Sequence, residues 1–175
     1  MSEKESLLSV DNMQLGQLNG GAYFGRTGIE ENQWGLNNYG NTWINTTLNG
    51  TWYGVGMSSD GKIQTATNYS GYLYGTTDYG NTWTAKTSLG QGNWRDVAMS
   101  ADGKVQIAAN STGYLYVSTD YGNTWTARTS VGTGVWYWVT MSGDGKYQTA
   151  TGGYVYTSDD YGNSWTIRTS GNREP

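Results

Sequence analysis

The chain has 175 residues, with 14 acidic against 10 basic side chains, a formal charge of −4 and a pI near 4.6. Its length suits one domain with a real core, and its acidic balance leaves no electrostatic footprint for nucleic acid or an anionic membrane. The lack of cysteine and histidine removes disulfides, thiolates and imidazole chemistry, and the lack of an 18-residue apolar run removes a membrane-spanning helix.

In chain order, residues 1–11 read as an N-terminal arm. They lack the basic and apolar regions of a secretory signal, so the expected location is cytoplasmic or particle-associated. The glycosylation sequons at Asn45, Asn49, Asn68 and Asn110 are then chance matches in an Asn/Thr-rich chain. Beyond the arm, 27 glycines, one proline, 9 tryptophans and 15 tyrosines suit short strands, tight turns and an aromatic core.

A heptapeptide Asp-Tyr-Gly-Asn-Thr/Ser-Trp-Thr occurs at 78–84, 120–126 and 160–166, with a blurred copy at 38–44. Its tryptophans, Trp43, Trp83, Trp125 and Trp165, are 40, 42 and 40 residues apart, so one supersecondary unit is repeated. Setting the third unit on the N-terminal region places Asn19-Gly20-Gly21 on a turn and Gln33-Trp34-Gly35 on a strand. Residues 12–50 therefore read as a degenerate first unit, since terminal repeats are often atypical. The later units run over about 51–91, 92–133 and 134–170, followed by a tail at 171–175.

The third unit predicts four strands. Trp94–Ser100 leads through the Asp102-Gly103 turn to Val105–Asn110. Tyr114–Thr119 follows a Gly113 turn, and Thr126–Thr129 follows the heptapeptide. Four short strands per period form a meander, the shape of a propeller blade. The predicted fold is all-β, a β-propeller of four-stranded blades, about four per chain. An open array of such blades would expose two aromatic faces, so a homo-oligomer or a protein assembly partner is expected.

Thr76–Trp83, Ser118–Trp125 and Ser158–Trp165 match S/T-x-D-x-G-x-T/S-W, and the chain resembles Asp-box (BNR repeat) β-propellers over roughly 12–170. It resembles the sialidase superfamily in architecture, and its short repeats look like those of environmental bacteria and large viruses. Asp78, Asp120 and Asp160 are expected to accept hydrogen bonds from the turn that follows. Gly80, Gly122 and Gly162 should take the positive-φ position, and Trp83, Trp125, Trp165 and Trp43 should wedge between sheets. The resemblance implies that these residues are structural and lie away from the ligand face.

Candidate ligand residues are Trp52, Trp94 and Trp136, with Tyr53, Tyr137 and Trp138, just after the loops between blades. Two uses stay open for them, core packing or stacking on the apolar face of a sugar. Lys86, Arg128 and Arg168, three residues after each motif tryptophan, fit an edge strand protected by a cation, with anion binding as the alternative. An enzyme is not expected. The glutamates, Glu3, Glu5, Glu30, Glu31 and Glu174, do not supply the two-sided pair of glycoside hydrolysis, and the sialidase arginine triad is missing. No cofactor and no metal are expected. Glu30, Glu31 and Asp96 could gather calcium, but without a recognisable loop spacing. Two functions remain: lectin-like carbohydrate recognition through the inter-blade loops, or a structural assembly role such as a virus particle surface component.

Overall fold

A computed structural model of the chain describes residues 13–18, 21–26 and 48–168. The chain divides into two compact units, Met1–Leu48 and Asn49–Pro175. In the first unit, β1 (Met13–Leu18) pairs antiparallel with β2 (Gly21–Arg26), with Leu18 opposite Gly21. The rest of the expected first blade, Trp43 and Glu30-Glu31 included, lies outside the described residues, as do the arm and the tail.

The second unit holds three repeats that keep the numbers two to four. Blade two is β3 (Trp52–Met57), β4 (Gln64–Gly71), β5 (Leu73–Thr76) and β6 (Thr84–Ala85). Blade three is β7 (Gly92–Met99), β8 (Gln106–Asn110), β9 (Leu115–Ser118) and β10 (Thr126–Ala127). Blade four is β11 (Trp138–Met141), β12 (Gln148–Thr151), β13 (Val155–Ser158) and β14 (Thr166–Arg168). Within a blade each strand pairs antiparallel with the next, so the fold is all-β and built of four-stranded meander blades. The outermost strand of blade three is shorter than expected. Only Thr126 and Ala127 pair, because a 3-10 turn at Thr129–Val131 already carries the chain towards the next blade. No helix among the described residues is long and apolar enough to cross a membrane.

The inner strands depart from simple alternation. A regular strand would send Trp94 and Val97, three positions apart, to opposite faces. A bulge between the pairs Trp94↔Asn110 and Asp96↔Ala109 returns both to the core, where they are 1% and 4% exposed. The same irregularity recurs in β3 between Trp52 and Val55. The bulge also leaves Arg95 as the unpaired step on the inner strand, which matters for the site.

The core lies in the seams between blades. Leu73 of blade two packs with Trp94, Val97 and Ala108 of blade three, flanked by half-buried Leu89, Tyr116 and Trp125. Val105, Ile107, Ala109, Leu115 and Val117 of blade three meet Trp136, Val139 and Ala150 of blade four, flanked by Trp165. Each blade thus has a leading face, built on the inner-strand tryptophan, and a trailing face that receives the next blade. Gly145 shows how close the approach is. A Cβ there would sit 2.7 Å from the Val105 Cβ of the preceding blade.

Polar links join the same faces. Ser59 N–H donates to Ala101 O at 2.7 Å and Ala101 N–H to Gly143 O at 2.7 Å, a series running along one rim. At the other rim Gly71 pairs with Gly92, and Gly113 with Gly134. The buried Thr65 hydroxyl donates to Gln106 Oε1 at 2.7 Å across the seam between blades two and three. One repeat later Ile107 stands in the place of Thr65, and Gln148 Oε1 has no partner among the described residues.

The depth of the inner-strand tryptophans sets a ranking of substitutions. Trp94→Ala should lower the unfolding free energy by about 3–5 kcal/mol, and Trp125→Ala by less, since Trp125 is only half-buried. Urea unfolding of the two variants checks this, and equal losses would contradict the seam assignment.

Candidate functional site

Each heptapeptide turn is organised by one carboxylate. In blade three, Asp120 Oδ1 accepts from the Ser118 hydroxyl at 2.8 Å and from Thr124 N–H at 2.8 Å. Its Oδ2 accepts from the Thr124 hydroxyl at 2.6 Å. The Ser118 hydroxyl in turn accepts from Gly122 N–H at 2.9 Å, and Trp125 Nε1 donates to Gly122 O at 3.1 Å. Asp78 and Asp160 repeat the pattern with Thr76, Thr82 and Trp83, and with Ser158, Ser164 and Trp165.

The turn differs from expectation in one respect. Glycine is not alone at positive φ, because Tyr79, Tyr121 and Tyr161 precede Gly80, Gly122 and Gly162 with φ of 62°, 64° and 62°. Two successive positive-φ residues, closed by Asn123 N–H to Asp120 O at 3.3 Å, make a type I′ turn. At the second position φ favours glycine in all three turns, and in blade four space does so as well. A Cβ at Gly162 would lie 2.6 Å from Gln148 Oε1.

The donors set the charge state of these groups. The Thr76 and Thr82 hydroxyls, then the Thr82 amide, hold the Asp78 carboxyl down at about 2. The Ser164 hydroxyl and amide do the same for Asp160, also at about 2. Around Asp120, burial works upward but is outweighed by the Thr124 and Ser118 bonds, so its pKa is lowered.

A second cluster forms where the inner strands begin. The positions after the inner-strand tryptophan, Tyr53, Arg95 and Tyr137, differ between blades, as do Gly54, Asp96 and Trp138. The Arg95 guanidinium lies over three rings, 4.8 Å from Tyr53, 4.7 Å from Tyr69 and 5.7 Å from Tyr137. Tyr53 leans on Tyr69 at 5.3 Å, and Tyr137 on Trp138 at 5.5 Å. Such stacking is worth about 0.5–2 kcal/mol per contact, more as water is excluded. Among the described residues Arg95 has no carboxylate partner, and its buried Nε has no acceptor. Asp96 is held instead by the backbone, accepting from Val97 N–H at 2.9 Å and from Val139 N–H of the next blade at 3.0 Å. Burial pushes its pKa up, against the pull of those two amides.

The six candidate ligand residues therefore separate. Tyr53, Tyr137 and Trp138 are 51%, 38% and 67% exposed and gather beside Arg95. Trp94 and Trp136, at 1% and 2%, offer no ring face to a ligand. They sit in the seams and meet Tyr116 and Tyr156 edge-on at 5.1 and 4.8 Å. Trp52 makes the same contact with Tyr74 at 5.2 Å on the leading face of blade two. Arg95 was missed in the sequence, although a cation replacing tyrosine in one column of the repeat was a visible signal. Lys86 and Arg128 are also not simple exposed edge residues. Both are half-buried, which lowers their pKa, opposed by the turn carboxylates of the next blade, Asp120 and Asp160.

No known family model matches the chain, and no curated protein matches it. Solved structures do. YCF48 from Cyanidioschyzon merolae is 17% identical with a TM-score of 0.58, covering 71% of this chain and 38% of that one. A structure of YCF48 bound to D1 peptide is 18% identical with a TM-score of 0.58, covering 71% and 42%. A GH74 enzyme of Niastella koreensis is 24% identical with a TM-score of 0.54, covering 66% and 17%. These likenesses place the chain in the β-propeller class of fold, and it spans less than half the length of each of these structures.

The turn carboxylates generate a pH profile. A free aspartate titrates near 3.9 and the folded Asp78 and Asp160 near 2. Their stabilisation is thus complete above about pH 5 and is lost as pH falls through 4 towards 2. The urea midpoint should hold steady from pH 6 to 8 and drop below pH 4. In the double variant Asp78→Asn/Asp160→Asn the acid limb should be shallower, and an unchanged limb would remove these groups from the account.

Proposed function

We propose that this chain is a non-catalytic binding module whose ligand is a carbohydrate, engaged beside Arg95. The heptapeptide turns are read as Asp-boxes serving as structure. The observation that carries the reading is the exposed pair Tyr53 and Tyr137, with exposed Trp138 against Tyr137, beside a guanidinium with no carboxylate partner among the described residues. Exposed rings offer stacking faces for the apolar side of a sugar ring. The free N–H edge of Arg95 favours a ligand bearing an anionic substituent, since guanidinium pairs with carboxylate or sulfate in a forked geometry. Repetition does not multiply this site, because Arg95 occurs in one blade only.

The non-catalytic part of the reading rests on composition: no histidine, and glutamates confined to Glu3, Glu5, Glu30, Glu31 and Glu174. A second reading, as an assembly scaffold, is favoured by the structure of YCF48 bound to D1 peptide, a propeller-type neighbour holding a protein segment. In that case Arg95 and its tyrosines would take a peptide carboxylate.

The discriminating experiment is an NMR titration of the protein with neutral and uronic-acid-containing oligosaccharides. Binding near the millimolar range, about −4 kcal/mol, should shift the Trp138 indole. Arg95→Gln should weaken binding of the acidic sugars about tenfold, about 1.4 kcal/mol, and that of the neutral sugars less, with circular dichroism reporting that the variant is folded. Absence of shifts at tens of millimolar sugar would dismiss the carbohydrate. Turnover of a fluorogenic glycoside would dismiss the non-catalytic reading.

A further inference from the structure

Blade four ends the described array, and its trailing face is open. Tyr147 and Val155 are 56% and 44% exposed there. A cleft of about 370 Å3 is lined by Tyr147, Thr149, Thr157, Asp159 and Arg168 among others. One repeat earlier the corresponding residues, Val105 and Leu115, are buried in the seam with the following blade, whose Gly145 lies against Val105. The cleft is therefore the socket that a following blade would fill.

Among the described residues of the second unit, the leading face of blade two is exposed in the complementary way. Val55 is 60% exposed, whereas Val97 and Val139, the same column in the later blades, are 4% and 8%, and Met57 is 57% exposed where Met99 and Met141 are half-buried. Gly61, the counterpart of Gly103 and Gly145, has no described residue against it within 4 Å. The seams have a direction, and both open faces carry the matching half of it. In the rim series Ser59 N–H donates to Ala101 and Ala101 N–H to Gly143. Gly143 N–H is the next donor, and it has no acceptor among the described residues. Thr65 donates to Gln106, and Thr149, in the Thr65 column, faces outward with Gln64 as the remaining glutamine of the acceptor column. Lys86 faces Asp120 and Arg128 faces Asp160 across the seams, and Arg168, next in that column, is exposed. Its counterpart in the turn column is Asp78, which has no cation beside it among the described residues.

We propose that the trailing face of blade four docks the leading face of blade two of a second copy of this chain, extending the seam that the repeats already form internally. The register sets Thr149 opposite Gln64, Arg168 opposite Asp78, Tyr147 over Gly61 and Val155 against Trp52. The contact is heterologous, with two different surfaces meeting, so the growing assembly retains one free face of each kind until a ring closes. This surface is distinct from the Arg95 cluster and does not depend on what that cluster binds.

The test uses the whole chain and two exposed substitutions. Light scattering at tens of micromolar should give a mass above the 19.1 kDa of a single chain. Val155→Glu blocks the trailing face and Val55→Glu the leading face, so each variant alone should run as a monomer. Mixed in equal amounts they should form a dimer and nothing larger, because one intact face of each kind remains. Thr149→Lys and Met57→Lys form a replicate pair on the same two faces, with circular dichroism reporting that each variant is folded. A monomeric parent, a Val155→Glu variant that still associates, or a mixture that stays monomeric would each overturn the proposal.

Discussion

In every described repeat one aspartate carboxylate collects a hydroxyl from the strand before it and a hydroxyl and an amide from the residue four positions on. That convergence fixes the path of the chain between the third and fourth strands. It holds a tyrosine at positive φ, a position that costs a bulky residue free energy of order 1–3 kcal/mol and would not persist without the surrounding bonds. It also seats the turn glycine against the buried amide of Gln106 or Gln148 and aims the indole of Trp125 or Trp165 back at the seam. With those groups in place the next blade has a surface to land on. The seams inherit their geometry from the turns.

Much of this was legible in the residues. The motif copies and the recurring columns located the strands, and the turn chemistry of Asp, Ser/Thr and Gly could be read from type and spacing. The bulge could not be read by alternation, although the spacing of Trp94 to Val97, repeated as Trp52 to Val55 and Trp136 to Val139, demanded one. Two large apolar residues three apart can share a face of a strand only if an extra residue intervenes. Missing that constraint left Trp94 and Trp136 open to a ligand role, when both are buried and in blade three the bulge turns Trp94 into the core and leaves Arg95 as the irregular step. The tyrosine that sits beside glycine at positive φ was also hidden, because propensity alone argues against it and only the hydrogen-bond network permits it.

The repeats divide labour by column. Positions identical or nearly so in all three blades, such as the motif aspartates, the Gln64 column and the inner-strand tryptophans, carry hydrogen bonds or seam packing. Positions that differ, Tyr53, Arg95 and Tyr137 with Gly54, Asp96 and Trp138, crowd onto one end of the inner strands. The turn network does not use these side chains, but they link neighbouring blades in a way of their own, Arg95 lying over Tyr53 and Tyr137 and Asp96 accepting from Val139 N–H.

The two seams are unequal. Between blades three and four, eight buried apolar residues form one cluster, against four between blades two and three. In a linear array whose stability is a sum of unit and nearest-neighbour terms, the smaller apolar term of the first seam is offset by the pairing of β4 with β7 and by the buried Thr65–Gln106 bond. Methyl groups at Val105, Ile107 and Val117 carry the second junction, where Ile107 has replaced the hydroxyl of Thr65. Near-identical repeats are thereby joined by unlike chemistry, polar in part at one junction and apolar at the other.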